Sequence, residues 1–167
     1  MDVEVRPAVS AADWRAVQAV RRRVFVEEQG VPEADEWDAA DDERQRGRTV
    51  HHLLATRGGA PVGAARWRAA PADAAAATPP GTAVATPAGT AVAKLERFAV
   101  VPEARGRGVG RRLVARALAD ARAAGFGRFV LHAQTYVAGL YAGFGFVAEG
   151  PPFTEDGLEH VKMTLVD

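Results

Sequence analysis

The sequence KLERFAVVPEARGRGVGRR, residues 94–112, decides the fold of this chain. Its first part is an apolar run that Pro102 ends, because proline donates no ladder hydrogen bond, so a strand is expected there. Three glycines follow, and from Val109 onward apolar residues recur at helical spacing. A strand, a glycine-rich loop and a helix in this order bring backbone N–H groups and the positive end of a helix dipole together. The arginines beside the loop complete the pattern of a phosphate or pyrophosphate site.

The spacing of the glycines narrows the choice of phosphate ligand. A P-loop requires G-x-x-x-x-G-K-[ST] and a dinucleotide site requires G-x-G-x-x-G, and neither pattern fits. The pattern R-x-x-G-x-G from Arg105 to Gly110 resembles the acetyl-CoA pyrophosphate loop of the GNAT superfamily of N-acetyltransferases. The alternative interpretation is a plain glycine turn between a strand and a helix.

A second motif follows the helix. After a short apolar strand at residues 128–133, the chain reads QTYVAGLYAGFGF, residues 134–146. In GNAT enzymes a polar residue after this strand is followed by an alanine, a tyrosine and a Gly-Phe pair. The matching residues here are Gln134, Ala138, Tyr141, Gly145 and Phe146. Two motifs in the family's order and at its separation argue against coincidence.

Two further stretches resemble the ElaA-like branch of this superfamily. One is VFVEEQGVP, residues 24–32, with the acidic residues that follow it, and the other is P-F-x-x-x-G at 152–157 followed by H-V-K-M. The resemblance covers nearly the whole chain except residues 69–93. It implies an α/β GNAT fold, with a mixed central sheet of about six to seven strands flanked by about four helices. It also implies acetyl-CoA as co-substrate and direct attack by a primary amine in a ternary complex, without a covalent enzyme intermediate.

The resemblance also assigns roles to individual residues. Glu96 is the candidate base that takes the proton of the amine, and Tyr141 is the candidate acid that protonates the leaving thiolate. The alternatives are a salt-bridged glutamate and a half-buried aromatic residue. The backbone of residues 98–100 is expected to pair with the pantetheine arm. The cofactor-binding set is Phe98, Ala99, Val100, Arg105, Gly106, Arg107, Gly108, Val109, Gly110, Arg111, Gln134 and Tyr141.

The expected acceptor site is less sharply defined. Glu27, Glu28 and Gln29 are placed by the resemblance at the wall of the acceptor pocket, and His52 is a further candidate for acceptor binding. In that position the carboxylates of this acidic stretch would attract a cationic amine, although a run such as that at positions 33–43 is usually a solvated loop. The acceptor could be a small molecule or a peptide amine.

Composition sets broad limits. The chain has 167 residues, a formal net charge of zero and no cysteine. A cysteine nucleophile, a disulfide frame and a zinc–thiolate site are therefore excluded. Adjacent His51 and His52 point to opposite faces of a strand, so no metal site is predicted. We expect a cytoplasmic protein, a monomer or homodimer, without a membrane or nucleic-acid partner.

Local patterns predict how the rest of the chain is organised. Ser10 and Asp13 predict a helix start, after which Arg21 to Arg23 are interpreted as solvated helix surface. Gly58 and Gly59 predict a hairpin between strands at 49–56 and 61–68. Residues 1–167 are predicted to form one GNAT domain, with 69–93 as a mobile insertion rich in Ala, Pro, Thr and Gly.

Two other functions remain open on the sequence alone. A non-catalytic acyl-CoA-binding regulatory module would keep the fold and bind the cofactor without releasing CoA. A nucleic-acid binder could use the arginine-rich loop, but the zero net charge and the lack of interleaved aromatic residues disfavour it.

Overall fold

The computed structural model describes residues 2–70 and 91–167 of the chain. Within them lie four α-helices: α1 (Ala11–Arg21), α2 (Glu33–Glu36), α3 (Val109–Ala123) and α4 (Ala138–Ala142). A π-helix, Arg22–Glu28, continues α1. Single 3-10 turns occur at Ala39–Asp41, Pro102–Ala104 and Thr135–Val137. The strands are β1 (Val3–Pro7), β2 (Val50–Arg57), β3 (Ala60–Ala69), β4 (Val92–Val100), β5 (Arg128–Gln134), β6 (Val147–Glu155) and β7 (Leu158–Val166).

The strands form one mixed sheet in the order β1-β2-β3-β4-β5-β7-β6. Strand β1 is antiparallel to β2, with Val3 opposite Arg57, whereas the start of β4 is parallel to β5, with Val92 opposite Arg128. Both β5 and β6 run antiparallel to β7. The expected mixed sheet of about six to seven strands with about four helices is confirmed.

The predicted helix start and the predicted hairpin both form in the structure. The Ser10 side chain accepts a hydrogen bond from the Asp13 N–H at 3.0 Å, and the Asp13 carboxylate accepts one from the Ser10 N–H at 3.2 Å. This reciprocal capping satisfies N–H groups that the first turn of α1 leaves without a helical partner. The hairpin between β2 and β3 turns at Gly58 and Gly59, which both have positive φ. Both predictions are confirmed.

The chain divides into two compact units. The first comprises residues 1–67 and 96–119, and the second comprises residues 68–95 and 120–167. The first unit has an apolar core that includes Val17, Val20, Leu53, Leu54, Val62, Ala99, Leu113 and Val114. The core of the second unit includes Ala93, Leu95, Phe129, Leu131, Phe146, Val161 and Met163. A single domain over residues 1–167 stays a prediction.

The predicted insertion at 69–93 lies mostly outside the described residues, which stop at Ala70 and resume at position 91. At its edges, the N–H of Ala70 donates to the carbonyl oxygen of Val92 at 2.7 Å. The chain therefore leaves β3 and enters β4 at neighbouring points, and the mobility of the insertion stays a prediction.

Candidate functional site

The glycine-rich loop joins β4 to α3 in the first unit. Gly106 and Gly108 have φ values of 71° and 78°, a region that residues with a Cβ atom rarely adopt. A Cβ atom built on either glycine would meet no protein atom within 4 Å, so open space borders the backbone here. The first turn of α3 closes with a 3.0 Å hydrogen bond from the Arg112 N–H to the Gly108 carbonyl oxygen. The loop thus leads directly into the N-terminus of a 15-residue helix.

Charge and open space make this loop fit a pyrophosphate. The side chains of Arg105, Arg107 and Arg111 are exposed, and the early N–H groups of a helix have no partner within the helix. Val109 is buried as the first residue of α3 and anchors the helix start. The residues present therefore fit the diphosphate of a coenzyme A molecule, through backbone donors and guanidinium groups.

Arg105 already has partners within the protein. Its Nη1 atom donates to Glu28 Oε2 at 2.7 Å, its Nη2 atom contacts Glu28 Oε1, and its Nε atom donates to the Val100 carbonyl oxygen at 2.9 Å. The guanidinium group lowers the pKa of Glu28 below its usual value, chiefly through these hydrogen bonds. Glu28, expected at the acceptor, and Arg105, expected at the cofactor, are thus brought together as an ion pair.

Glu96 lies on β4 next to a distortion of the strand. Arg97 has a φ of 57°, which is rare for a residue with a Cβ atom and departs from the extended conformation of β4 at this point. Glu96 forms an ion pair with Arg66 of β3, in which Nε and Nη2 of the guanidinium lie 3.0 and 2.8 Å from Oε1. The Glu96 side chain is 14% exposed. The candidate base is therefore a largely buried, salt-bridged carboxylate.

This ion pair belongs to a larger group, which we call the buried ion cluster. The cluster contains four carboxylates and three guanidinium groups: Glu36, Asp38, Asp41 and Glu96 with Arg21, Arg66 and Arg97. Arg66 is fully buried and also donates to Asp38 at 2.8 and 2.9 Å and to Asp41 at 3.0 Å. Burial acts to raise the pKa of Asp38, but ion pairing with Arg66 outweighs it and lowers this pKa to about 2.

One sequence-based interpretation is wrong at this cluster and a second is wrong in part. Arg21, interpreted as part of a solvated helix surface, is 1% exposed and donates to Glu36 at 2.7 Å and to Asp41 at 2.6 Å. In the acidic run, Glu36 and Asp41 are likewise buried, contrary to the expectation of a solvated loop. Other carboxylates of the run are exposed: Glu33, Asp35, Asp42 and Glu43. Glu36 and Asp41 supply counter-ions to the two buried arginines, so these two carboxylates do not present free charge to a ligand.

The remaining acceptor candidates occupy different environments. Glu27 is exposed and Gln29 is half-buried, near the end of the π-helix that continues α1. His52 is 4% exposed, packs edge-on against Trp14 with ring centroids 4.8 Å apart, and lies 3.8 Å from Asp41. Neither ring nitrogen has a hydrogen-bond partner in the described part of the chain. In this conformation His52 contacts the protein interior, and its role in acceptor binding stays a prediction.

Gln134 and Tyr141 belong to the second unit. Gln134 ends β5 and lies opposite His160 of β7. Tyr141 is 6% exposed on the short helix α4 and packs edge-on against Phe146 at 6.2 Å between ring centroids. Burial is the main cause that raises the pKa of the Tyr141 phenol well above its usual value. A phenol is protonated at neutral pH even at its ordinary pKa, so burial leaves the charge state of Tyr141 unchanged and makes it a weaker acid.

The described ranges, 2–70 and 91–167, show neither a group of metal ligands nor a helix that could cross a membrane. No group of three or more His, Cys, Asp or Glu side chains there is arranged to hold a metal ion. The same residues contain no helix long and apolar enough to cross a membrane.

Comparison with known proteins gives a consistent picture. A family model described as an acetyltransferase (GNAT) domain matches residues 26–166. The uncharacterized N-acetyltransferase YjcF of Bacillus subtilis is 32% identical over 86% of each chain. Among solved structures, an acyl-CoA N-acyltransferase from Pseudomonas aeruginosa is 27% identical with a TM-score of 0.72, and covers 98% of this chain and 97% of its own. Escherichia coli ElaA has 24% identity and a TM-score of 0.73, covers 98% of this chain and 99% of its own, and supports the fold alone.

Proposed function

Because the chain belongs to the GNAT acetyltransferase family, we propose that it transfers an acetyl group from acetyl-CoA to a primary amine by direct attack in a ternary complex. The observation that carries the proposal is the loop from Arg105 to Gly110 between β4 and α3. Its positive-φ glycines, the open space beside them and the exposed arginines suit a diphosphate at a helix N-terminus.

Acetyl-CoA would supply an activated acetyl thioester. The residues proposed to hold it are Arg105, Arg107 and Arg111, the loop backbone, the backbone of residues 98–100, and Gln134. An alkylamine has a pKa near ~10 and is protonated at neutral pH, so a base has to remove a proton before nitrogen can attack. We propose that the carboxylate of Glu96 is the base that removes this proton. We assign to Tyr141, whose phenol is protonated at neutral pH, the role of donating a proton to the departing sulfur.

The acceptor is proposed as a primary amine without a requirement for extra positive charge. The carboxylates at positions 27–43 were the reason to expect a cationic acceptor, but Glu36 and Asp41 are paired with buried Arg21 and Glu28 is paired with Arg105. Glu27 is exposed and stays the proposed acidic contact. A cytoplasmic location, a monomeric or homodimeric state and the absence of a nucleic-acid partner also stay predictions.

Calorimetric titration with acetyl-CoA, CoA and 3′-dephosphorylated CoA tests the cofactor site. We expect acetyl-CoA to bind, and we expect Gly108→Asp to abolish binding, because it adds a side chain at φ 78° and a negative charge beside the diphosphate. Gly47→Asp is the matched control, since Gly47 has a φ of 73° and equally open surroundings but lies outside the loop. Equal loss of binding in both variants would indicate general misfolding instead of a blocked site.

Release of CoA in the presence of amines then tests catalysis. The chain has no cysteine, so a thiol reagent detects only the CoA that is released. Glu96→Gln should reduce the rate most at low pH, where the amine proton is hardest to remove. Acetyl-CoA binding without release of CoA by any amine in a broad screen would favour the alternative, a non-catalytic acyl-CoA-binding module.

A further inference from the structure

Arg66 directly contacts the candidate base. Two of its nitrogen atoms lie 3.0 and 2.8 Å from Glu96 Oε1, and the side chain is fully buried. A guanidinium group is planar, so contacts on one edge restrict the orientation of the other edge. Any group that fixes the far edge of Arg66 therefore also fixes how Glu96 is held.

The far edge of Arg66 is fixed by two carboxylates from the acidic segment. Asp38 accepts from Nη1 at 2.8 Å and from Nη2 at 2.9 Å, and Asp41 accepts from Nη1 at 3.0 Å. The carboxylates are themselves held by backbone donors, because Asp38 accepts from the Ala40 N–H at 3.0 Å and Asp41 accepts from the Asp38 N–H at 3.2 Å. A continuous set of directional contacts thus runs from a 3-10 turn, through Arg66, to Glu96.

We propose that Arg66 is a positioning residue for the acetyl-transfer reaction, which holds the Glu96 carboxylate charged and in one orientation while Asp38 and Asp41 hold Arg66. The inference rests on the proposed role of Glu96 as base. In this proposal the acidic segment takes part in catalysis by holding Arg66. From the sequence alone, its only suggested role was to attract a cationic acceptor. A base has to lie within hydrogen-bond reach of the amine. A carboxylate that is fixed in this orientation is therefore in the required geometry when the amine binds.

Several other titratable or charged groups of the first unit lie near this contact and could also affect the protonation of Glu96. Arg21 of α1, Glu36 of α2, His52 of β2 and Arg97 of β4 all belong to or border the buried ion cluster. Burial lowers the pKa of His52 to about 3, so this imidazole adds no charge at neutral pH. Arg21 and Arg97 form ion pairs with other carboxylates, whereas Arg66 contacts Glu96 itself, so removal of Arg66 should act on Glu96 more strongly than removal of Arg21.

Arg66→Met and Arg21→Met form a matched pair of variants. Each removes one buried guanidinium group from the same cluster, but Arg21 contacts Glu36 and Asp41, whereas Arg66 contacts Glu96. Loss of a neighbouring cation makes a carboxylate easier to protonate. The acidic limb is the part of the plot of kcat against pH where the rate falls as the pH is lowered. Arg66→Met should therefore shift this limb to higher pH by about one pH unit or more, and Arg21→Met should shift it much less. Arg66→Lys keeps the charge, so it should restore the limb while kcat stays lowered.

Asp38→Asn provides the test if the methionine variants fail to fold. The Asp38 side chain is 37% exposed, so this change is milder than the loss of a buried arginine. Removing the Asp38 charge leaves the positive charge of Arg66 less compensated, and the acidic limb should move to lower pH. A purely structural role would lower stability in all variants with the limb unmoved. That result, or an upward shift in Asp38→Asn, would overturn the proposal.

A direct titration of Glu96 separates this inference from the proposed function. The protein labelled with carboxyl-13C glutamate gives a Glu96 signal that Glu96→Gln identifies by its disappearance, and its midpoint is read by NMR without any substrate. If Glu96→Gln keeps the wild-type rate profile, the base role of Glu96 fails and the midpoint alone decides whether Arg66 holds the carboxylate charged. If Glu96→Gln lowers the rate at low pH as proposed but the midpoint is the same in Arg66→Met and in the wild type, only the role of Arg66 is refuted.

Discussion

His52 shows how the interior of the first unit controls a single titratable group. Burial is the main cause that lowers its pKa from 6.5 to about 3, and the nearby Arg21 and Arg66 add to this effect, while Asp41 opposes it. In the unfolded chain the imidazole should titrate near its ordinary value. Between these two pH values the unfolded state binds a proton that the folded state does not bind. The free energy of unfolding should therefore decrease as the pH falls from about 6.5 toward 3.

We predict that His52→Phe and His52→Gln both flatten this pH dependence. Neither replacement titrates, so the loss of about 2 kcal/mol expected from His52 between pH 6.5 and 4.5 should be absent from both variants. Urea unfolding at a series of pH values measures the slope for each protein. The two variants can differ in absolute stability, because Phe keeps the aromatic contact with Trp14 and Gln does not. A slope equal to that of the wild type in both would show that His52 is protonated in the folded state.

The ion pair between Glu28 and Arg105 leads to a second prediction at the residue scale. Glu28 competes with a diphosphate for the same guanidinium group, so Glu28→Gln should tighten acetyl-CoA binding. Both side chains are partly exposed, at 36% and 43%, and such pairs contribute less than about 1 kcal/mol, which limits the gain to about fivefold. Calorimetric titration measures the change.

Glu33→Gln is the control for Glu28→Gln. Glu33 forms a similarly exposed pair with Arg22 at 2.9 Å, away from the loop, and its removal should leave acetyl-CoA affinity unchanged. Weaker binding in Glu28→Gln alone would mean that Glu28 holds Arg105 ready for the ligand and does not compete with it.

At the scale of elements, the sequence predicted the parts whose signals are local. The strand before Pro102, the glycine loop and the helix from Val109 all form as expected, because proline, glycine and apolar periodicity act within a few residues. The distortion at Arg97 was not assignable from alternation, because Ala93 and Leu95 before it and Ala99 after it are buried at the same two-residue spacing.

Helix α1 shows that local periodicity does not predict the burial of a charged residue. Periodicity placed its apolar face correctly, with Val17 and Val20 buried, but it assigned Arg21 to the solvent. The partners of Arg21 are Glu36 and Asp41, which lie 15 and 20 residues later in the sequence. A buried charge depends on such distant partners, so the ion cluster around Glu96 could be found only in the structure.

The contact between β3 and α3 gives a prediction for an element as a whole. A Cβ atom on Gly63 would lie 3.0 Å from side-chain atoms of Val109 and Leu113 and 3.1 Å from the carbonyl oxygen of Ala99. Gly63→Ala should therefore push the start of α3 away from the sheet and destabilise the protein by about 1–3 kcal/mol. Because the loop ends at this helix start, acetyl-CoA binding should weaken as well. Urea unfolding and calorimetric titration measure the two effects.

Gly139→Ala is the matched control for this substitution. Gly139 lies in α4 without positive φ, and a Cβ atom there would meet no other atom within 4 Å. Alanine in a helix is favoured over glycine by about 0.5–1 kcal/mol, so this variant should be as stable as the wild type or more stable. If Gly63→Ala behaved like Gly139→Ala, the packing of α3 against β3 would be looser than the distances indicate.

At the scale of the whole molecule, composition predicted the class of protein but not the arrangement of its charges. A net charge of zero and the lack of cysteine fit an ordinary globular enzyme. The same numbers would describe a chain whose charges all lie on the surface. In this protein, Arg21, Arg66, Glu36 and Asp41 are buried together, and this arrangement links the acidic segment to the candidate base.

The segment between β3 and β4 provides a test of how the complete chain folds. Ala70 and Val92 are joined by a 2.7 Å backbone hydrogen bond, so replacement of residues 71–90 by a short Asn-Gly turn should close the connection without moving either strand. The alanine-, proline- and threonine-rich sequence can bury little apolar area, so its removal should leave one cooperative unfolding transition and unchanged acetyl-CoA affinity. Thermal unfolding followed by circular dichroism and by tryptophan fluorescence tests whether the transitions coincide. Loss of cooperativity, or two separated transitions, would show that residues 71–90 contribute to the folded core.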